Sequence, residues 1–374
     1  MKTLGRLLVF SCAAIAAAAE PHWNVLFICS DDLRPELGCY GVSGIRTPHL
    51  DALAARSVRF NHAYAQFPLC SPSRTSMLTG RYPTTTKIMD NTRWVGGLFP
   101  EWKTLPRFFR DNGYETRRAG KIFHGDLDDY DAWTEGGQKR KFEGVQPPPP
   151  PKAPQPGKAK DRSKDDRVVM LEGEGESHPD YVYATQTIEY LKRAKQAGRP
   201  FFIACGFGKP HCPLEAPKKF FDLYDPAKIS LPADFASRIT PPTGAPLSLT
   251  ANGDLFLNRD ASEAEAREMK RGYWAAVSFI DAQVGRVIAA LDESGLAENT
   301  LVVFWGDHGY HLGEKGKWSK HSSLYEVGTR VPLLIFVPAS PAKGRVCERI
   351  VESIDLYPTL TDRKRPARRL RMDD

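Results

Sequence analysis

Four short apolar runs of strand length, separated by long stretches of other patterning, limit the folds open to this 374-residue chain. The runs lie at 24–30 (NVLFICS), 201–205 (FFIAC), 301–305 (LVVFW) and 331–337 (VPLLIFV). Continuous apolar strands are typical of a parallel sheet with helices on both faces, because both faces of each strand are then buried. The sequence therefore predicts an α/β fold with a mostly parallel central sheet flanked by helices.

Helical spacing of apolar residues marks several segments between these runs. It is present at 48–55, at 105–112 and at 181–196. A longer helix is predicted to begin after Ser262, because Glu265 lies three residues further on and the two together form a capping box. Apolar residues then recur every three or four positions, which is typical of a helix packed on a core.

The first nineteen residues have the pattern of a secretory signal. Lys2 and Arg6 precede an apolar run at 7–19 that ends in three alanines, so residues 1–19 are predicted to be a signal peptide and the mature chain to start at Glu20. No later run approaches the ~20 apolar residues that a membrane span requires, so no span is expected. The protein is predicted to be exported, to the periplasm or the extracellular space.

The rest of the chain is predicted to form one catalytic domain at 20–362 that carries an insertion. Five consecutive prolines open a segment at 146–166 whose later part is strongly charged. Such a composition favours polyproline II and has little apolar surface to bury. We expect this segment to be an exposed loop within the domain.

Charge and cysteine content argue against two classes of protein. The formal net charge of +7 lies mostly at the ends, since residues 1–19 carry +2 and residues 363–374 carry +4. The remaining +1 is too small for a nucleic-acid-binding face, so no nucleic-acid partner is expected. Six cysteines remain after residue 19, too few in so long a chain for a disulfide scaffold. Cys29 and Cys39 are predicted to be buried free thiols.

Acidic side chains follow two of the predicted strands. Asp31 and Asp32 come after the first run, and Asp307 and His308 come after LVVFW. In open α/β sheets ligands bind beyond the carboxyl ends of strands, so these side chains can converge on one divalent ion. A carboxylate-rich site favours calcium or magnesium. A solvated loop or a helix cap is the alternative for each pair.

A cysteine motif changes the balance between these alternatives. Residues 69–83 read LCSPSRTSMLTGRYP, in which Cys70 directly precedes a predicted Ser-Pro-Ser-Arg turn. C-x-P-S-R followed by L-T-G-R is the signature of the sulfatases. From Trp23 to about Thr361 the chain resembles the iduronate-2-sulfatase branch of that family. The segments that carry the resemblance are DDLRPELGCYG (31–41), TPHLDALA (47–54), GKIFH (120–124), GKPHCP (208–213), DHGYHLGEKGKWSKHS (307–322) and DLYPTL (355–360).

The resemblance implies an alkaline-phosphatase-like sulfatase fold that ends in a smaller subdomain with an antiparallel sheet. Here a dense basic run, RKRPARRLRMDD at 363–374, follows DLYPTL almost directly. We therefore expect the C-terminal antiparallel subdomain to be missing. The basic run is interpreted as an aberrant, solvated tail produced by a truncation or a shifted reading frame, and a genuine short variant is the alternative.

The resemblance also implies that a maturation enzyme converts Cys70 to formylglycine, whose hydrated aldehyde is the nucleophile. A geminal diol suits sulfate-ester hydrolysis, because its second hydroxyl can lose a proton and expel sulfate as the aldehyde re-forms. A serine-type sulfate ester would instead require a second attack of water at sulfur. The alternative for Cys70 is a buried structural thiol.

One Ca²⁺ ion is implied by the same resemblance. Its expected ligands are Asp31, Asp32, the converted Cys70, Asp307 and His308. His308 supports the assignment to this branch, because many other sulfatases carry Asp-Asn where this chain has Asp307-His308. A nitrogen ligand is unusual for so hard a cation.

Five further side chains match family residues that contact the nucleophile or the sulfate. Arg74 matches the arginine that stabilises the deprotonated diol, and Lys121 and His124 match the pair next to it, with His124 as the base. His211 and Lys320 match the groups on the leaving-group side, where one can protonate the departing alcohol. Taken singly, each has a solvated loop side chain as its alternative. Further candidates for substrate contact are Lys209, Tyr310 and His311.

The resemblance thus implies a sulfuric ester hydrolase that acts in glycosaminoglycan degradation. The expected substrate is a sulfated carbohydrate, a 2-O-sulfated uronic acid or a related glycan, and the expected partner is the formylglycine-generating enzyme. Two alternatives remain open: a truncated, non-catalytic fragment that binds metal or glycan, and a phosphate or phosphonate ester hydrolase on the same fold.

Overall fold

A seven-stranded sheet forms the centre of the computed structural model, which describes residues 23–140, 166–241, 243–245, 252–257, 259–321, 323 and 325–362. The predicted signal peptide (1–19), the insertion up to residue 165 and the basic tail (363–374) lie outside the described residues. The predictions made for those three segments therefore stay predictions.

The sheet is mostly parallel, as predicted. Its strand order is β3-β5-β1-β7-β8-β2-β9. Strands β3, β5, β1 and β7 run parallel, β8 is antiparallel to both of its neighbours, and β9 pairs parallel with β2. Strands β4 and β6 form a separate two-stranded parallel sheet. The strands are β1 Asn24–Asp31, β2 Val58–Tyr64, β3 Glu115–Gly120, β4 Val168–Leu171, β5 Phe201–Pro210, β6 Leu214–Pro217, β7 Thr300–Gly306, β8 Arg330–Phe336 and β9 Val346–Glu352.

Ten α-helices are present in the described part of the chain, and the four predicted ones are among them. The capping box of Ser262 and Glu265 forms as expected at the start of the longest helix, α8. By length and composition α8 could cross a membrane, but 67% of its most apolar window is buried inside the protein. The helices are α1 Pro48–Ala55, α2 Cys70–Thr79, α3 Pro83–Thr86, α4 Val95–Leu98, α5 Leu105–Asp111, α6 Pro179–Ala197, α7 Lys218–Phe221, α8 Glu263–Glu293, α9 Glu326–Thr329 and α10 Leu356–Thr361.

Strand β1 is buried on both faces, which is why its sequence is continuously apolar. Leu26 and Ile28 pack in a core that includes residues of α6 and α8. Phe27 and Cys29 pack in the opposite core, with residues of α2 and α5. Cys29 and Cys39 are both free thiols, as predicted, although Cys39 is only partly buried.

Helix α2 corrects the predicted Ser-Pro-Ser-Arg turn. Residues Cys70–Thr79 form a ten-residue helix in which every residue is buried. Pro72 is the third residue of the helix, within the first turn, where a missing backbone N–H breaks no helical hydrogen bond, so the proline is compatible with this helix. Gly80 closes the helix with a φ of 65°, a left-handed conformation that favours glycine.

Candidate active site

The carboxyl ends of β1 and β7 bring four of the predicted residues together. Parallel pairing of the two strands sets their last residues side by side. Asp31 and Asp32 emerge from one strand, and Asp307 and His308 from the other. The backbone N–H of Asp32 donates to Asp307 Oδ1 at 3.1 Å, so the two strand ends are hydrogen-bonded to each other.

Cys70 enters this cluster from the N-terminus of α2. Its Sγ lies 3.4 Å from Asp31 Oδ1 and 3.4 Å from His308 Nε2. The residue before the helix supplies no side-chain cap. Asn91 fills that role from a distant loop, where its Oδ1 accepts the backbone N–H of Ser71 at 2.9 Å. The sequence reading missed Asn91, because it belongs to none of the matching segments.

Arg74, one turn further along α2, is fully buried beneath the cluster. Its Nε donates to Asp307 Oδ2 at 2.8 Å, and its Nη1 donates to the Ile122 carbonyl oxygen at 3.1 Å. Its Nη2 lies 3.7 Å from Asp31 Oδ1 and has no hydrogen-bond partner among the described residues. One arm of the guanidinium is therefore left for an anion.

Two lysines complete the charge balance of the cluster. Lys121 Nζ pairs with Asp31 Oδ2, and Lys320 Nζ donates to Asp32 Oδ2 at 2.8 Å. Burial opposes the charge, but the paired carboxylates hold the pKa of both ammonium groups above its ordinary value. With Arg74 these lysines place three fixed cations beside three buried carboxylates.

The donor set fits a metal ion. Four of the five predicted ligands offer atoms that all lie within 4.8 Å of one another; they are Asp31, Asp32, Cys70 and His308. Asp32 Oδ1 is buried without a hydrogen-bond partner among the described residues, as expected of an oxygen that ligates a cation. Asp307, the fifth predicted ligand, is not in this group; its Oδ2 accepts from Arg74 and its Oδ1 accepts the backbone N–H groups of Asp32 and His308.

The environment of Cys70 disfavours a thiolate. Burial, reinforced by the Asp31 carboxylate, holds the pKa of the Cys70 thiol well above its usual value. A thiol in this state is a poor nucleophile at neutral pH. Cys70 is also free of any disulfide, so the pairing and thiolate roles of a cysteine are both unsupported here.

His124 and His211 complete the set. Burial, reinforced by the Lys121 ammonium, lowers the pKa of His124 to about 4, and its buried Nδ1 has no hydrogen-bond partner among the described residues. His211 follows β5, with Nδ1 2.6 Å from the Cys212 carbonyl oxygen. Since a carbonyl only accepts, Nδ1 carries a hydrogen, and Nε2 is the ring nitrogen left to gain or donate a proton. Burial raises the pKa of Asp31, but Lys121, followed by His211, holds it well below its usual range.

The three further candidates for substrate contact are buried and have partners inside the protein. Lys209 Nζ donates to the carbonyl oxygens of His211 at 3.0 Å and Pro213 at 2.7 Å. Tyr310 donates its hydroxyl to the Trp318 carbonyl oxygen at 3.3 Å. His311 Nε2 lies 2.5 Å from Ser323 Oγ. Each of the three side chains is therefore held by a contact within the protein, and their contact with substrate stays a prediction.

Comparison with known proteins gives a consistent answer. Residues 23–363 match the family model described as Sulfatase. Iduronate 2-sulfatase of Mus musculus is 35% identical over 396 residues, an alignment that covers 93% of this chain and 71% of the mouse protein. Iduronate 2-sulfatase of Homo sapiens is 32% identical over 407 residues, covering 96% and 72%.

Solved structures show the same fold. A phosphonate monoester hydrolase of Agrobacterium radiobacter superposes with a TM-score of 0.72 at 21% identity, covering 91% of this chain and 73% of that one. A 2-O GAG sulfatase superposes with a TM-score of 0.61 at 22% identity, covering 91% and 70%. At these identities the likeness is one of fold alone.

Proposed function

Because this chain belongs to the sulfatase family and is a sulfuric ester hydrolase, we propose that it removes sulfate from a sulfated sugar, a 2-O-sulfated uronic acid or a related glycan. The similarity to two iduronate 2-sulfatases supports this substrate class. The proposal extends to a formylglycine at position 70 and a calcium ion beside it.

The observation that carries the proposal is the place of Cys70 in the cluster. Its sulfur touches Asp31 and His308 at the N-terminus of a buried helix, where a thiolate is disfavoured. An oxygen nucleophile is a better fit to a site of carboxylates and a hard cation. Formylglycine hydrate supplies such an oxygen, together with a second hydroxyl through which sulfate is released.

The charges of the substrate and the nucleophile would balance a divalent cation. Three carboxylates already face three fixed cations, so an added Ca²⁺ brings two positive charges that need partners. A bound sulfate ester carries one negative charge and an ionised diol carries another. Held by Asp31, Asp32, residue 70 and His308, the ion would stabilise negative charge on the sulfate oxygens.

The protein side chains then have separate roles. The free arm of Arg74 donates to the oxygen nucleophile at residue 70, and Lys121 donates to the same region. His124, neutral at pH 7, accepts the proton of the second hydroxyl. With hydrogens on both ring nitrogens, His211 donates the Nε2 proton to the departing alcohol, because the raised pKa of Lys320 makes its ammonium a weak acid that keeps its proton and neutralises charge instead.

Sulfate release from a 2-O-sulfated uronic acid disaccharide tests the proposal. Protein made with its maturation enzyme is expected to release sulfate, and Cys70→Ala is expected to release none. The matched control is Cys39→Ala, which removes a free, partly buried thiol outside the cluster and is expected to retain activity. Release of sulfate by Cys70→Ala would contradict the role of residue 70.

The fold likeness to phosphonate monoester hydrolases calls for a second comparison. Sulfate, phosphate and methylphosphonate esters of one alcohol share a leaving group, so their kcat/KM values report selectivity for the transferred group alone. We expect the sulfate ester to be preferred. A higher kcat/KM for the phosphonate ester would contradict this expectation and indicate phosphonate ester hydrolysis as the main activity.

We also propose that the protein is exported by residues 1–19. The basic start, apolar run and three alanines at the end of this segment support the proposal. N-terminal sequencing of protein from the periplasm or medium of its own host is expected to begin at Glu20. A chain that remains in the cytoplasm with Met1 intact would contradict it.

A further inference from the structure

The Lys320 ammonium lies between two carboxylates, only one of which belongs to the metal cluster. Asp32 Oδ2 accepts from it at 2.8 Å. Asp254 Oδ2 lies on its other side at 3.8 Å, with side-chain exposures of 2% for Lys320 and 10% for Asp254. Asp254 lies in none of the short sequence segments that carry the resemblance to the family.

Asp254 Oδ2 is buried and has no hydrogen-bond partner among the described residues. Its 3.8 Å separation from Lys320 Nζ exceeds hydrogen-bond distance, so the ion pair is incomplete in this structure. A buried carboxylate oxygen without a partner is costly. A small movement of Lys320 Nζ away from Asp32 would satisfy it.

The loop that carries Asp254 is fixed against the segment that carries Lys320. Asn252 Oδ1 accepts the Trp318 backbone N–H at 2.7 Å, and the Leu255 N–H donates to the Trp318 carbonyl oxygen at 3.2 Å. A Cβ atom on Gly253 would meet His321 at 2.8 Å, so the two segments are in close contact. Asp254 is therefore held in place, and the lysine side chain is the element that can move.

Asp32 also has an oxygen in the candidate cation site. Its Oδ1 is unpaired and belongs to the group of atoms that can hold a cation, while its Oδ2 holds Lys320. Lys320 and a cation thus compete for one carboxylate.

We propose that Asp254 is a positioning residue that receives the Lys320 ammonium when Asp32 binds the cation. Lys320 then remains charged on the leaving-group side without weakening the metal site. This inference rests on the cation of the proposed function. It assigns Asp254 no contact with the metal or the substrate.

A double-mutant cycle on calcium affinity tests the inference without turnover. Chelated, full-length protein is titrated with Ca²⁺ by calorimetry for wild type, Asp254→Asn, Lys320→Met and the double variant. Asp254→Asn is expected to weaken calcium binding by about tenfold, within the range of couplings between groups in contact. In the Lys320→Met background the same change is expected to have less than about a twofold effect, because the competing ammonium is gone.

The cycle separates this mechanism from simple charge loss. Removing any nearby carboxylate weakens cation binding, but that effect would persist when Lys320 is absent. Equal effects of Asp254→Asn in the two backgrounds, or no effect in either, would overturn the inference, and so would a wild type that binds neither calcium nor magnesium. The matched control is Asp260→Asn, an exposed carboxylate paired with Arg238, which is expected to leave the affinity unchanged.

Two further outcomes are informative. If Asp254→Asn alone does not fold, the calcium affinities of Lys320→Met and of the double variant can still be compared. A large difference between these two affinities would overturn the inference. A wild type that shows the expected cycle but releases no sulfate would contradict the proposed function and leave the role of Asp254 standing.

Discussion

His124 shows how neighbours decide the chemistry of one residue. Burial and the Lys121 ammonium lower its pKa to about 4, so its imidazole remains a base well below neutral pH. We predict that the acid limb of kcat/KM for sulfate release, where His124 gains a proton, lies near pH 4. A pH–rate profile with an acid limb near pH 6.5 would contradict this.

The variant His124→Gln tests the same residue directly. Loss of the base is expected to lower kcat by roughly 100-fold to 10,000-fold. His62→Gln is the matched control, since His62 is partly exposed on β2 and its ring contacts Glu348 at 3.5 Å. Near-wild-type kcat in His124→Gln would remove His124 from the mechanism.

The residues that do chemistry were predictable from the sequence to the extent that they lie in family-matching segments. Cys70, Lys121, His211 and Lys320 are in such segments, and the structure brings them together. Asn91 and Asp254 were not predictable, because a helix cap and a counter-ion that come from another segment of the chain leave no local sequence pattern. Only the folded chain shows what these two side chains face.

At the scale of elements, apolar continuity predicted the interior strands and missed others. Strand β3 has the sequence ETRRAG and was missed because its two arginines interrupt the apolar pattern. Arg118 is buried there in an ion pair with Asp128, and Arg117 is buried in an ion pair with Glu115 at 2.6 Å. Charged side chains are rarely buried without such partners, and the partners are set by tertiary structure.

The contact between α1 and α8 predicts a pH-dependent stability. Asp281 on α8 accepts the backbone N–H groups of His49 at 3.2 Å and Leu50 at 2.7 Å. Burial raises the pKa of Asp281 from 3.8 to about 7, against the effect of these two donors. The folded protein therefore binds a proton more tightly than the unfolded chain does. The stability from this group is fully present below about pH 4 and is lost as pH rises towards 7.

Urea unfolding between pH 4 and pH 7 checks this sign. Asp281→Asn keeps an acceptor without the charge, so its free energy of unfolding is expected to fall less over this range than that of wild type. Asp292→Asn, an exposed carboxylate on the same helix paired with Arg56 at 3.0 Å, is expected to follow wild type. A parallel course for Asp281→Asn and wild type would show that Asp281 is not titrating.

At the scale of the whole molecule, the metal site links strand ends that lie far apart in sequence. Binding of calcium to the folded state alone would stabilise it by about 2.7 kcal/mol at a concentration 100 times the Kd. Chelation is therefore expected to lower the Tm of wild type, and Asp31→Asn is expected to show a smaller change. An identical Tm with and without chelator in wild type would contradict the calcium site.

The match to known sulfatases covers the whole site. All predicted catalytic and metal-binding residues fall between Asp31 and Lys320, inside the matched region of 23–363. The alignment covers 71% of the mouse relative and 72% of the human one. The expected aberrant tail at 363–374 lies outside the described residues and stays a prediction.

The mass of the proteolytic peptide that contains Cys70 tests the central claim most directly. Protein is purified from its own host, digested and analysed by mass spectrometry without prior alkylation, alongside the peptide that contains Cys39 as an internal control. We predict that residue 70 has the mass of formylglycine or its hydrate, whereas Cys39 has the mass of cysteine. An unmodified cysteine at position 70 in protein that releases sulfate would contradict the proposed nucleophile.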